Sequence, residues 1–172
     1  TSTLQQEAAR KLGFTVAQTM MVAQRLYESG KITYMRTDSV NLSELAVNSS
    51  KSVIASMMGE RYVYPRHFAT KTKGAQEAHE AIRPTDMENA KIEGSPQERK
   101  LYDLIWKRTI ASQMADAEVE KTTVNISISN ESDTFNATGE VVKFDGFLHV
   151  YRESIDDDAE QEDETHLFPP LK

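Results

Sequence analysis

The sequence contains no cysteine, so it offers neither a disulfide framework nor a thiolate metal site. It has no run of about 18 apolar residues, which a membrane-spanning helix needs, and its first residues do not form a signal-peptide pattern. We therefore expect no membrane contact, and the lack of cysteine fits a reducing compartment. The 172 residues are 38% hydrophobic, which suffices for one domain, or for one domain and part of another.

An excess of positive charge is also missing, because the net charge is −7. The acidity is uneven: residues 1–120 hold 16 Lys and Arg against 15 Asp and Glu, whereas residues 121–172 hold 4 against 12. Nucleic-acid binding by the first part is not excluded, since a phosphate senses charge within a Debye length of about 10 Å. We expect the run Asp156–Asp158 to lie in a solvated acidic loop and not in a metal site.

Hydrophobic spacing and capping residues predict a mainly helical first part. Helices are predicted over residues 2–12, 15–29, 43–58, 76–83 and 95–114. Gly13 is expected to end the first helix in a left-handed conformation. The buried face of the second helix is predicted to consist of Val16, Met20, Ala23 and Tyr27. These first two helices, joined by a short turn, are similar to a helix-turn-helix.

From residue 123 onward, apolar and polar residues alternate, as is typical of strands. Strands are predicted over residues 123–129, 135–138, 141–144 and 147–151. We therefore predict an α+β fold with two parts. A mainly helical domain spans residues 1–120, and a partial antiparallel β segment spans residues 121–172, with an acidic loop at 155–165.

Tyr34 is the first candidate catalytic residue. A tyrosine phenol has a pKa of about 10, so it is a weak nucleophile at neutral pH unless a cation stabilises the phenolate. On an extended chain Arg36 shares a face with Tyr34, and its guanidinium can hold the phosphate that the phenol attacks. Residue types alone favour a simpler interpretation, a half-buried strand with an exposed arginine.

The segment from Gln76 to Pro84 is the second candidate. His79 and Arg83 are four residues apart and share a face of the predicted helix, and a histidine can donate to a phosphate or pair with it. A zinc site of the HExxH type needs a second histidine where Arg83 stands, so we predict no metal site. Taken alone, the composition favours a solvated helix surface.

Together these segments resemble the type IA DNA topoisomerases, in the branch of the bacterial topoisomerase I enzymes. The resemblance rests on four stretches in the family's order: residues 1–8 (TSTLQQEA), 21–28 (MVAQRLYE), 34–39 (YMRTDS) and 77–84 (EAHEAIRP). It is strong over residues 1–120 and continues more loosely through residues 141–147.

The resemblance implies a winged-helix-like (catabolite-activator-like) tyrosine domain over residues 1–120, followed by part of the family's arch domain. It also implies the chemistry. The Tyr34 phenolate attacks a phosphate of single-stranded DNA and leaves a 5′-phosphotyrosine and a free 3′-hydroxyl. A second strand passes through the break, the 3′-hydroxyl reseals it, and negative supercoils relax without ATP.

Residue roles follow from the same resemblance. Tyr34 is the expected nucleophile, and Arg36 is expected to hold the scissile phosphate. The expected DNA-binding residues are His79, Arg83, Gln24, Thr37 and Asp38, with Glu28 and Thr33 in support. Expected partners are single-stranded or negatively supercoiled DNA and the remaining domains of the same polypeptide, in a cytoplasmic, nucleoid-associated enzyme.

The family's Mg²⁺ site lies in a domain N-terminal to the tyrosine, and nothing in this sequence resembles it. We therefore expect Mg²⁺ outside this chain. The sequence begins without methionine and ends on Phe168–Lys172, so we expect a fragment of the enzyme. Because the metal-binding domain is missing from it, we expect this fragment to be inactive alone.

Two other classes of function stay open. A non-catalytic winged-helix module would place a recognition helix in the major groove of duplex DNA, although the second helix offers Arg25 as its sole basic residue. A protein-interaction scaffold would account for the acidic end of the chain.

Overall fold

A computed structural model describes residues 1–68, 80–127 and 134–152. Its elements are α1 (Ser2–Leu12), α2 (Val16–Glu28), α3 (Glu44–Met58), α4 (Pro96–Ser112), β1 (Glu118–Ser127), β2 (Thr134–Phe144), and two 3₁₀ turns, Glu60–Tyr62 and Gly146–His149. The predicted mixture of helices and strands is therefore confirmed. Within these ranges no helix combines the length and the apolar character that crossing a membrane requires.

Several helix ends lie where capping residues predict, although α1 begins at Ser2 after Thr1, with no side-chain cap. Gly13 ends α1 with a φ of 66°, a conformation that glycine adopts without a Cβ clash. Thr15 and Ser43 cap α2 and α3, because each side chain accepts a hydrogen bond from a backbone N–H of the first turn. Ser95 and Glu98 form a reciprocal capping box at the start of α4, which satisfies two N–H groups that otherwise lack partners.

The predicted buried face of α2 is right for Ala23, and Met20 packs against the core, but it is wrong for Val16 and Tyr27. Val16 is 58% and Tyr27 is 40% exposed, whereas the buried residues are Thr19, Val22, Ala23 and Leu26. Both sets have helical spacing, so periodicity alone did not choose between them. Burying Val22 and Leu26 removes aliphatic side chains from water and leaves the Tyr27 ring free to contact another segment.

The first compact unit comprises Thr1–Ala115 together with the segment that begins at Phe147. Its core is centred on α4, from which eight residues are buried. Two aromatic residues of α4 also hold the segment that follows Pro84. Trp106 Nε1 donates to the Met87 carbonyl at 2.9 Å, and the Tyr102 hydroxyl donates to the Asn89 carbonyl at 2.6 Å. Burial raises the pKa of Tyr102 to about 12, which keeps this donor protonated.

The second unit, Asp116–Gly146, contains the antiparallel pair β1–β2. The two predicted strands 135–138 and 141–144 are one continuous strand, β2. Ile126 pairs with Phe135 in the register, and both are more than half exposed, at 52% and 63%. A two-stranded ribbon is marginally stable alone in water, so these residues mark a face that gains stability when it is covered.

The predicted strand 147–151 is also wrong, because a 3₁₀ turn occupies Gly146–His149. Phe147, Val150 and Tyr151 are spaced i, i+3 and i+4, and all three pack against the core of the first unit. The N–H groups of Val150 and Tyr151 both donate to the Phe147 carbonyl, at 3.1 and 3.0 Å. A helical turn brings all three side chains to one side, where Tyr151 is buried and Phe147 and Val150 are partly buried, whereas an alternating strand would place them on opposite faces.

Candidate functional site: the loop of Tyr34 and Arg36

The segment before Tyr34 is paired with the end of the second motif. An isolated antiparallel bridge joins Ile32 to Pro84, and the Thr33 N–H donates to the Arg83 carbonyl at 2.9 Å. The Thr33 hydroxyl accepts from the Arg83 N–H at 2.9 Å and donates to the Ala81 carbonyl at 2.7 Å. Two motifs about fifty residues apart in sequence are thus brought into direct contact immediately before the tyrosine.

Tyr34 and Arg36 are both exposed on either side of a buried residue. Tyr34 is 42% exposed, whereas Met35 is 1% exposed, and Arg36 is again in the exposed class. Among the described residues, neither the Tyr34 hydroxyl nor the Arg36 guanidinium has a hydrogen-bond or ion-pair partner. Both groups are therefore available to a ligand from solvent.

The ring of Tyr34 is held by Tyr27. The two rings meet edge to face, with centroids 5.2 Å apart and planes at 64°, a geometry favoured by the aromatic quadrupole. This contact restricts where the ring lies and leaves its hydroxyl free. Next to Tyr27 on α2, Gln24 Nε2 donates to Glu28 Oε1 at 2.6 Å, so two residues predicted from the resemblance bond to each other.

Thr37 and Asp38 continue the loop with different environments. Thr37 is 8% exposed, and its Oγ1 accepts from the Ser39 N–H at 3.1 Å, so its hydroxyl stabilises the turn. Asp38 is exposed. With Arg36 and Ser39, both residues line a cleft of about 810 Å³.

The second motif does not form a helix at its described end. Residues 80–83 have no helical structure, so the prediction of a helix reaching Arg83 is wrong there. The Ala81 N–H donates to the Asn41 carbonyl at 2.8 Å, because this stretch runs beside the Tyr34 loop instead of coiling on itself. His79 lies outside the described residues.

Arg83 is paired within the chain. Its guanidinium donates to both oxygens of Glu80, at 2.7 and 2.8 Å, and to the Pro84 carbonyl at 2.8 Å. Glu80 also accepts from the Ser43 N–H at 2.8 Å. Burial acts to raise the pKa of Glu80, but the hydrogen bonds from Arg83 and Ser43 outweigh it and hold that pKa below its usual value. The pair thus joins the second motif to the start of α3.

No group of three or more His, Asp or Glu side chains lies close enough to hold a metal ion within residues 1–68, 80–127 and 134–152. In the loop itself, Asp38 is the one carboxylate between Tyr34 and Leu42. A Mg²⁺ ion needs several oxygen ligands in octahedral geometry, so the described loop does not fit a magnesium site.

Sequence reasoning identified Tyr34 and Arg36 as neighbours but missed two residues that fix them. Tyr27 was assigned to the core because of its spacing, and Thr1 was not assigned a role at all. Thr1 bonds to the backbone on both sides of Arg36, a contact across more than thirty residues that no local pattern predicts.

Comparison with known proteins places the chain in a family. A family model described as DNA topoisomerase matches residues 1–172. The chain is 52% identical to DNA topoisomerase 1 of Zymomonas mobilis, over 95% of the chain and 14% of that protein. It is 49% identical to DNA topoisomerase 1 of Synechocystis, over 100% of the chain and 20% of that protein.

A solved structure is similar as well. Full-length topoisomerase I from Thermotoga maritima superposes with a TM-score of 0.73 and 42% sequence identity, over 90% of this chain and 26% of that chain. The chain therefore spans between a seventh and about a quarter of the length of these three relatives. Since the family model matches the whole chain and relatives about half identical cover nearly all of it, the chain belongs to the bacterial type IA DNA topoisomerases.

Proposed function

We propose that this chain carries the nucleophile of a type IA DNA topoisomerase, and that the nucleophile is the hydroxyl of Tyr34. The observation that carries the proposal is the exposure of Tyr34 and Arg36 in one loop, with neither polar group bonded among the described residues. The family supplies the substrate, DNA, and the loop supplies an accessible phenol with a guanidinium two residues away.

The proposed cleavage is a transesterification. The phenol gives up its proton, its oxygen bonds to the phosphorus, and the bond from phosphorus to the 3′-oxygen breaks. The 3′-oxygen gains a proton, so the products are a 5′-phosphotyrosine and a 3′-hydroxyl. Resealing is the reverse reaction after a strand has passed. One phosphodiester is exchanged for another, so no ATP is consumed.

Arg36 is proposed to bind the scissile phosphate. Its guanidinium can contact two phosphate oxygens at once and stabilise the charge of the pentavalent transition state. His79, Gln24, Thr37 and Asp38 are proposed to contact DNA or to support the loop. Arg83 is proposed to act on DNA through the backbone that it holds, because its guanidinium is already bonded to Glu80 and Pro84.

The rest of the enzyme is proposed to lie outside this chain. We propose that residues 1–120 form the winged-helix-like tyrosine domain and that residues 121–172 form part of the arch domain. Mg²⁺ would be bound by other domains of the polypeptide, and the chain alone would not cleave DNA. The enzyme would act in the cytoplasm, on the nucleoid.

The test compares two neighbouring tyrosines in the intact enzyme. Tyr34→Phe should abolish the covalent adduct with a single-stranded oligonucleotide on a denaturing gel. Tyr27→Phe is the matched control, since its ring is similarly exposed, at 40%, and it retains the ring contact. An adduct that persists in Tyr34→Phe would remove Tyr34 from the chemistry.

The alternative, a non-catalytic module for duplex DNA, is separated by affinity measurements on the chain at two salt concentrations. Clear preference for duplex DNA with a steep salt dependence would favour the module. Equal or stronger binding of single strands would favour the enzyme.

A further inference from the structure

The hydroxyl of Thr1 bonds to the backbone on both sides of Arg36. Its Oγ1 lies 2.8 Å from the Met35 carbonyl and 2.9 Å from the Thr37 carbonyl, and it accepts from the Thr37 N–H at 3.0 Å. A hydroxyl has one proton and two lone pairs, so it donates to one carbonyl while it accepts from Thr37. The two peptide units that flank Arg36 are therefore both bonded to the Thr1 side chain.

No helix or strand contains this part of the loop, since residues 33–43 are in neither. Among the described residues, the second motif bonds to the loop at its two ends, at Thr33 and at Asn41 and Ser43. Between these ends, the Thr1 hydroxyl bonds to the backbone of Met35 and Thr37. Met35 and Thr37 are buried, which keeps this bonding away from competing water.

A mobile arginine is a weak electrostatic catalyst. The free energy by which it stabilises the transition state is offset by the conformational entropy that is lost when its side chain is ordered. Bonds to the residues on either side remove backbone freedom where the Arg36 side chain originates. The bonds come from the residue that immediately precedes α1, whose residues Glu7 and Ala8 are buried in the first unit. The position of Arg36 is thus tied to a packed helix and not to the loop alone.

We propose that Thr1 is a positioning residue that fixes Arg36 for contact with the scissile phosphate. This inference rests on the proposed function, since it assigns Thr1 a role through Arg36. Thr1 acts by holding the peptide units before and after Arg36.

The experiment uses three variants of the intact enzyme. Thr1→Val keeps the shape of the side chain and loses the hydroxyl that bonds to the Met35 and Thr37 backbone. Thr1→Ser keeps the hydroxyl. Thr3→Val is the matched control, because Thr3 is an exposed threonine in the first turn of the same helix.

We expect Thr1→Val to slow single-turnover adduct formation by roughly 10- to 100-fold, the scale of a misplaced catalytic group. Affinity for a single-stranded oligonucleotide should change far less. Thr1→Ser should restore most of the rate, and Thr3→Val should keep it.

A double-mutant cycle separates positioning from general stabilisation. In an Arg36→Ala background, Thr1→Val should cause little further loss, because residues that act as a unit are not additive. An equal loss in both backgrounds, or an undiminished rate in Thr1→Val, would overturn the inference. If Arg36→Ala itself cleaves normally, the proposed role of Arg36 has failed instead, so the two failures are distinguishable.

Discussion

Tyr34 lies two residues from Arg36 in the sequence, and Tyr151 contacts Arg108 in the structure, yet the surroundings of the two tyrosines are opposite. Tyr34 is 42% exposed and its hydroxyl has no partner among the described residues. Tyr151 is 6% exposed. Its hydroxyl donates to the Glu7 carboxylate and accepts from Arg108 at 3.1 Å. Burial, and next the hydrogen bond to Glu7, raise the pKa of Tyr151.

The difference shows that a nearby cation does not make a tyrosine a nucleophile. Arg108 and Lys11 both lie over the Tyr151 ring, at 5.6 and 4.9 Å from its centroid, yet the Tyr151 proton is held by Glu7 and the hydroxyl is buried. A nucleophile must reach its substrate and lose its proton. Tyr34 is exposed and can reach a substrate. The Tyr151 hydroxyl instead forms structural hydrogen bonds that anchor its segment to α1 and α4.

Apart from the loss of the Tyr34 hydroxyl itself, the largest expected effect is the loss of cleavage in Arg36→Ala. The guanidinium is exposed and unpaired among the described residues, so its removal should change the free energy of unfolding by less than about 0.5 kcal/mol. Adduct formation should fall by roughly 100-fold or more. Single-turnover cleavage and denaturant unfolding measure the two effects. A stable, fully active variant would contradict the role proposed for Arg36.

Tyr151→Phe should lower the stability of the protein and leave cleavage unchanged, the reverse of what is expected for Arg36→Ala. It leaves the buried Glu7 carboxylate and Arg108 without their shared hydroxyl, which should lower the free energy of unfolding by about 1–3 kcal/mol. Below the unfolding transition, adduct formation by Tyr151→Phe should match that of the unaltered enzyme. A rate loss without a stability loss would mean that Tyr151 takes part in the chemistry.

The stability of the chain at alkaline pH should also depend on Tyr151. Its pKa is raised above the ordinary value of 10.0, so the folded state favours the protonated phenol. That contribution is complete below about pH 10 and is lost as the pH rises through the folded-state pKa. The difference in unfolding free energy between the unaltered chain and Tyr151→Phe should shrink above about pH 10. A constant difference would argue against a buried, protonated Tyr151.

The smallest effect is expected for the ion pair beside the Tyr34 loop. Arg83 and Glu80 are only partly buried, with side chains 13% and 25% exposed, so Glu80→Gln should cost less than about 1 kcal/mol. The pKa of Glu80 is lowered from 4.5, so its stabilisation is present above that pH. It is lost as the pH falls through the folded-state pKa. Between pH 7 and pH 3, the free energies of unfolding of the unaltered chain and of Glu80→Gln should converge. A difference that stays constant over this range would contradict a stabilising ion pair.

The sequence predicted local features well because their causes are local. Gly13, Ser43 and the Ser95–Glu98 box set helix ends through bonds within a few residues. Part of the buried face of α2 and the 3₁₀ turn that begins at Gly146 were missed, because tertiary packing decided between patterns that the local sequence also allows. In the second case the i, i+3, i+4 spacing of Phe147, Val150 and Tyr151 was the available signal.

The candidate site was predicted in part. Family motifs pointed to Tyr34 and Arg36, and the structure describes both as exposed. The contacts that hold them could not be predicted, because Thr1 meets Met35, and Thr33 meets Ala81, across 34 and 48 residues. Such pairings depend on how α1 and the second motif pack, which local propensity does not encode.

The most direct measurement identifies the residue that becomes linked to DNA. The intact enzyme is trapped on a single-stranded oligonucleotide, digested with protease and nuclease, and the modified peptide is sequenced by mass spectrometry. We predict that the nucleotide mass lies on Tyr34, attached through a 5′-phosphate. Attachment at Tyr27, Tyr151 or any other residue would contradict the central claim.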